Sequence, residues 1–209
     1  MALFILKNVN YQDIVRYPHM EISEGIVTFV CGESGSGKST LLKLLNGVLS
    51  PSEGEILYRN QAPEDYDSIQ LRREVLLLGQ SAYLFDKSIR DNFDEYYRYR
   101  GIEALSDEQM KAYLNICAVD LPLDSMCQVL SGGERQRIFT AINLSYQPKV
   151  FMMDEPTSAL DEQNARMLVG NIKAYCKEHE TSLIIVSHDQ AMADTYADDT
   201  IRLSRSVNV

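Results

Sequence analysis

The chain has 209 residues, and its 45% apolar content is enough to furnish a sizeable core for one domain of two lobes. Its 30 acidic and 20 basic residues leave a formal net charge of −10, which argues against the basic stripe of a nucleic-acid surface; the cluster Arg98 to Arg100 is too short to change that. No apolar stretch approaches the roughly 20 residues of a transmembrane helix, and the four dispersed cysteines, Cys31, Cys117, Cys127 and Cys176, form no C-x-x-C pair for zinc or a disulfide framework.

In chain order, Leu3 to Val9 predicts a first strand. The start, Met1 to Leu6, lacks the basic region of a secretion signal, so a soluble, intracellular chain with reduced thiols is expected. The apolar run Ile26 to Cys31 predicts a buried strand, and Leu41, Leu42, Leu44 and Leu45 lie at helical spacing until Asn46-Gly47. Between strand and helix stands the loop Gly32, Glu33, Ser34, Gly35, Ser36, Gly37, Lys38, Ser39, Thr40. A helix N-terminus has unpaired amides and the positive end of its macrodipole, so it favours an anion. Glycines there let successive amides approach phosphates closely. Lys38 would reach the β- and γ-phosphates and the Ser39 hydroxyl would ligate Mg²⁺.

Pro51-Ser52-Glu53-Gly54 predicts a turn before a strand from Glu55 to Tyr58, and Val75 to Leu78 a further strand, followed by Gln80. From about Ser81 to Leu144 the pattern is helical. Ser106 to Gln109 is a capping box ahead of an apolar stripe of Met110, Leu114 and Cys117. A second capping box, Ser131 with Glu134, precedes Ile138, Ala141, Ile142 and Ser145. A cap alone does not call for Gly132 and Gly133 in the first turn, where each costs roughly 1 kcal/mol relative to alanine. That helix start reads as a second phosphate site. Val150 to Met153 predicts a buried parallel strand that delivers Asp154 and Glu155 to its carboxyl end, where open α/β sheets bind ligands. A helix from about Asp161 to Cys176 and a strand from Ser182 to Val186 follow, bringing Ser187 and His188 to the same edge.

Over essentially its whole length the chain resembles the nucleotide-binding domain of ATP-binding cassette (ABC) proteins. Gly32 to Thr40 match the Walker A element, Gln80 the Q-loop, Leu130 to Gln136 the signature, Val150 to Glu155 the Walker B strand, Ser158 to Asp161 the D-loop and His188 the switch histidine, all in the family's order. The resemblance implies an α/β fold: a phosphate-loop NTPase core with a mixed or parallel sheet and flanking helices, N-terminal antiparallel strands, and a helical signature subdomain. It implies one domain, 1–209, with 1–80 and 145–209 as the core lobe and 81–144 as the helical lobe.

By the same resemblance ATP and Mg²⁺ are bound. Asp154 would hold Mg²⁺ through water, with Gln80 approaching metal and water. Glu155 would orient or deprotonate the attacking water, and His188 would contact the γ-phosphate and that water. A second nucleotide-binding chain, most simply an identical copy, would supply Ser131 and Gly133 to the nucleotide held by Lys38, and Gly132, Gln136 and Asp161 are further nucleotide-binding positions by the same resemblance. Tyr11 is the candidate to stack on adenine, with Tyr17 competing.

The implied role is the ATPase subunit of a transporter whose integral membrane permease is a separate polypeptide, which would place the chain in the cytoplasm on the inner face of the membrane. A soluble ABC ATPase of repair, translation or cofactor assembly is the alternative. Leu84 to Asn92 resembles an exporter-like pattern in which a Leu-Phe pair precedes a helix ending in Asp-Asn. Gln80 to Asn92 and Ser131 to Asp161 look similar to small bacterial half-cassettes of metal or iron export. The segment Ser81 to Phe85 would expose an aromatic and apolar cluster for docking a short helix of the permease.

Overall fold

The computed structural model describes residues 1–204. These fall into two compact units: one formed by Met1–Leu78, Pro148–Glu155 and the chain from Cys176 onward, the other by Gly79–Gln147 and Pro156–Tyr175.

The first unit contains two sheets. In the antiparallel sheet, β1 (Ala2–Tyr11) pairs with β2 (Val15–Tyr17), β3 (Met20–Ser23) and β5 (Glu53–Tyr58). The predicted turn at Glu53-Gly54 is instead the start of β5. The register of β1 against β5 shifts between Lys7 and Asn10, Asn8 has a φ of 50°, and a Cβ on Gly54, whose φ is 81°, would stand 2.6 Å from the Lys7 carbonyl oxygen. Glycine therefore serves a bulge inside a strand pair rather than a chain reversal. The parallel sheet has the order β6-β7-β8-β4-β9, from β6 (Val75–Leu78), β7 (Val150–Asp154), β8 (Ser182–Ser187), β4 (Val27–Gly32) and β9 (Asp199–Leu203). Its three central strands, β7, β8 and β4, are buried along nearly their whole length, which is why they read as unbroken apolar runs. Helix α1 (Lys38–Leu45) buries all four of its leucines in the core shared with Leu3, Phe4, Ile56 and Met152. Short helices α2 (Ser68–Glu74) and α7 (Gln190–Tyr196) are capped by Asp67 and Asp189.

The second unit is helical: α3 (Ile89–Arg100), α4 (Asp107–Ile116), α5 (Gly132–Leu144) and most of α6 (Glu162–Glu178). Capping boxes at Ser88, Ser106 and Ser131 start the first three. The Asp91-Asn92 pair therefore lies in the first turn of α3, not at the end of a helix. Asn92 is fully buried; it accepts from the Phe85 amide at 2.8 Å and donates to the Ser88 carbonyl at 2.9 Å, fixing the segment ahead of the helix. The stretch Pro156–Tyr175 groups with these helices because Asn164 bonds Arg137 of α5 and the Tyr175 ring meets Tyr113 of α4.

Candidate functional site

Within the first unit, sheet register gathers the chemistry at one edge. Asp154 lies opposite Val186 and Cys31 opposite Ser187, so the carboxyl ends of β7, β8 and β4 present Asp154-Glu155, Ser187-His188 and Gly32 side by side. The loop after β4 wraps the start of α1. Gly35 and Gly37 have φ of 79° and 92°, in the left-handed region where glycine is favoured. Gly37 is the N-cap and supplies no side-chain cap, which leaves the first amides of α1 for an external acceptor. Lys38 is buried, and its Nζ donates to the Gly32 and Glu33 carbonyls at 2.8 Å each, so the ammonium lies across the loop. Glu33, Ser34 and Gly35 are exposed, Ser39 and Thr40 half-buried. The Ser36 hydroxyl is buried with no hydrogen-bond partner.

At the adjacent strand end, Asp154 is 7% exposed and its Oδ1 has no hydrogen-bond partner. An orphaned buried carboxylate oxygen is costly, and a hydrated cation is the chemistry that satisfies it. Among the described residues, no group of three or more histidine, cysteine or acidic side chains is placed to hold a metal. A divalent ion here fits only as Mg²⁺ commonly binds, with one carboxylate, a hydroxyl, waters and substrate phosphates. Glu155 adopts a φ of 50°, its amide donates to the Val186 carbonyl at 3.0 Å, and its Oε1 stands 3.8 Å from His188 Nδ1. The imidazole itself is largely open to solvent.

Tyr17 is not a base-stacking residue. It is 1% exposed, its hydroxyl donates to the Gly37 carbonyl at 2.7 Å, and burial pushes its phenol pKa up. A Cβ on Gly37 would stand 2.9 Å from that hydroxyl and 2.5 Å from Val15 Cγ2, so β2 buttresses the phosphate loop from behind. Tyr11 pairs with Val15 across the hairpin and is half-buried against the core.

Within the helical unit, Gln80 is exposed. The Ser131 hydroxyl accepts from the Glu134 amide at 3.3 Å and donates to Glu134 Oε2 at 2.7 Å, and the Ser131 amide donates to the same oxygen at 2.8 Å; the two bonds to Oε2 hold the Glu134 carboxyl below its ordinary value. The two glycines beside it differ. A Cβ on Gly133 would fall 2.8 Å from Leu160 Cδ2 and 2.9 Å from the Ala159 carbonyl oxygen, whereas one on Gly132 would meet nothing within 4 Å. Packing within the chain accounts for Gly133 and leaves Gly132 open to close approach from outside. Gln136 departs from expectation: it is 6% exposed, one turn ahead of the buried Thr140 on α5, so its side chain is buried rather than displayed beside Ser131. Asp161 caps α6 by accepting from the Asn164 amide at 2.9 Å and from Asn164 Nδ2 at 2.5 Å, and these bonds hold its carboxyl below the usual range.

Arg135 escaped the sequence reading. It donates to the Cys127 carbonyl at 2.6 Å and the Leu84 carbonyl at 3.3 Å, tying the start of α5 to the segment after Gln80. A lone arginine in a capped helix carries no signal of that task. In the same segment Leu84 is 4% exposed and Tyr83 is 63% exposed; Tyr83, Phe85, Tyr96 and Tyr99 form one aromatic cluster. The expected apolar display thus consists of rings, without Leu84.

Comparison with known proteins gives a consistent result. The sequence profile described as ABC transporter matches residues 15–158. The ATP-binding protein HrtA of Staphylococcus haemolyticus, named for hemin import, is 32% identical over 204 residues, covering 95% of this chain and 88% of that protein. Among solved structures, cbiO1 from Clostridium perfringens, part of the transporter complex cbiONQ, superposes with a TM-score of 0.83 at 27% identity, covering 97% of this chain and 84% of the other. The bacterial ABC transporter cassette MJ0796, solved as a dimer, gives 0.82 at 25% identity, with 96% and 94% covered.

Proposed function

The chain belongs to the ABC transporter family as an ATP-binding, ATP-hydrolysing subunit, and on that premise we propose how its own residues do the work. Two copies close head to tail on two molecules of ATP. In each site, Gly32 to Thr40 of one copy cradle the phosphates through backbone amides, with Lys38 countering their charge. The partner copy contributes Ser131 and the amides of Gly132 and Gly133 against the γ-phosphate, together with Asp161. The half-open ring of Tyr11 is left as the aromatic for the base.

The residues of the first unit that would hold Mg²⁺ are Ser39 and Asp154; the ion would neutralise charge on the β- and γ-phosphates. Glu155 accepts a hydrogen bond from the attacking water and takes its proton, and His188, beside it, holds the water and the γ-phosphate in line. The water oxygen bonds to the γ-phosphorus as the bond to the β–γ bridging oxygen breaks, and ADP and phosphate leave. Positioning and charge stabilisation supply nearly all of the rate in phosphoryl transfer, so the separation of the motifs between two copies makes hydrolysis an opening switch.

The observation that carries this reading is the convergence of Asp154, with its unpartnered oxygen, the Glu155–His188 pair and the phosphate loop on three adjacent strand ends. No described helix is long and apolar enough to cross a membrane, so transport requires a membrane subunit on a separate chain or chain segment. That subunit places the cassette at the inner membrane face and docks on the Tyr83, Phe85, Tyr96 and Tyr99 rings. Likeness to HrtA, named for hemin import, favours an iron compound as cargo.

Complementation tests the composite site. Lys38→Ala and Ser131→Arg chains are each inactive alone, whereas their mixture forms heterodimers with one intact site and one doubly damaged site and regains turnover. A mixture as inactive as its components contradicts head-to-tail closure.

A further inference from the structure

Asn164 uses both ends of its side-chain amide to bridge two elements of the helical unit. Nδ2 donates to Asp161 Oδ2 at 2.5 Å, and Oδ1 accepts from Arg137 Nη1 at 3.2 Å. Asp161 closes the D-loop, while Arg137 lies on the helix that Ser131 caps and is itself anchored by donation to the Ala118 carbonyl. A second contact is independent of the amide. The backbone at Gly133 is so close to Ala159 and Leu160 that even a methyl group would meet both at under 3 Å. The signature turn and the D-loop are therefore packed as one block, pinned at one side by glycine contact and at the other by an amide bridge.

We propose that Asn164 is a positioning residue for ATP hydrolysis, holding Asp161 and Ser131 in the fixed relation that lets both reach the phosphate loop of the partner copy together. This rests on the head-to-tail reading above. Two elements delivered on one rigid block meet the partner's nucleotide in a single closure. If they moved independently, each would have to be ordered at the moment of reaction, and misplacement by about 1 Å can cost on the order of 100-fold in rate.

The bridge can be cut without removing the helix cap, because Asp161 also accepts from the backbone amide of residue 164, which any residue supplies. Asn164→Leu removes both side-chain bonds. Asn164→Asp keeps an acceptor for Arg137 but turns an anion toward the Asp161 carboxylate. For each variant and the unaltered chain, three quantities are measured: melting temperature, affinity for a fluorescent ATP analogue at concentrations where the chain is monomeric, and steady-state ATP turnover.

The expected result is a split. Both variants keep nucleotide affinity within about two-fold and fall at least about ten-fold in kcat, as displaced catalytic groups do. The aspartate variant falls as far as the leucine one, because restoring the Arg137 acceptor does not restore the hold on Asp161. Unchanged kcat in both variants overturns the proposal, and so does a loss of kcat matched by an equal loss of affinity or by melting near the assay temperature, which reduces Asn164 to a stabilising contact. An unaltered chain that turns ATP over without cooperativity and without an ATP-dependent dimer refutes head-to-tail closure itself, which separates that failure from the failure of Asn164 alone.

Discussion

Tyr17→Phe removes one hydroxyl from behind the phosphate loop and nothing else. The lost bond is the 2.7 Å donation to the Gly37 carbonyl, but that carbonyl also accepts the Leu41 amide at 2.8 Å and so is not orphaned. The cost is then the net worth of one hydrogen bond, about 0.5–1.5 kcal/mol, without the larger penalty of a stranded buried acceptor. For a chain of this size roughly 1 kcal/mol moves the melting temperature by about 2–4 °C. Calorimetry of the nucleotide-free protein should therefore show a drop of a few degrees. Tyr17→Ala, which empties a fully buried aromatic site, should cost about 3–5 kcal/mol. A base-stacking tyrosine behaves otherwise: phenylalanine stacks as well as tyrosine, and truncation to alanine costs nucleotide affinity but little stability. An unchanged melting temperature in Tyr17→Phe, with Tyr17→Ala stable but weak in ATP binding, would refute the buttress.

Leu84→Glu places a carboxylate in a buried position and should unfold or strongly destabilise the helical unit in urea titrations, whereas Tyr83→Ala, at an exposed ring, should stay within about 0.5 kcal/mol while impairing capture of the membrane subunit. Ser131→Ala loses the capping box, at about 1 kcal/mol in chemical denaturation, and should lose far more in ATP turnover than that stability change explains. All four cysteines are buried, so maleimide labelling of the native protein at pH 8 should be slow until denaturant is added. Burial pushes the Cys176 thiol from 9.0 up to about 12, so the protonated form is the one the fold favours. Its contribution to stability is complete below pH 9.0 and is lost as pH rises toward 12, which a denaturation series against pH with a Cys176→Ala control isolates.

Buried parallel strands were the most legible part of the chain. Val75–Leu78 has the bounds its apolar run predicts and Val150–Asp154 extends its run by one residue, because both faces of such strands are covered and no alternation dilutes the signal. The two capping boxes at Ser106 and Ser131 were equally plain, since their partners lie three residues apart. Strands β2 and β3, of three and four residues, are too short to show a period of two, and they exist because β1 is there to pair with them. Gly54 read as a turn since the Asn8 bulge that requires glycine lies far away in sequence. Within the candidate site, the phosphate loop and the acidic strand end were legible as local patterns. The burial of Tyr17 and Gln136 was not, nor were the tasks of Arg135 and Asn164, because each depends on partners that only the folded chain brings near.

In the proposed cycle ATP closes two copies of this chain and Glu155-dependent hydrolysis releases them. Glu155→Gln keeps the phosphate loop and the signature while removing the carboxylate proposed to take the proton from water. Light scattering after size exclusion, with and without Mg-ATP, measures the consequence directly. The expected result is a mass near 23.7 kDa without nucleotide and a persistent ATP-bound species of twice that mass with it, alongside loss of turnover. A variant that remains monomeric at saturating Mg-ATP, or that hydrolyses ATP at the rate of the unaltered chain, contradicts ATP-driven closure released through Glu155.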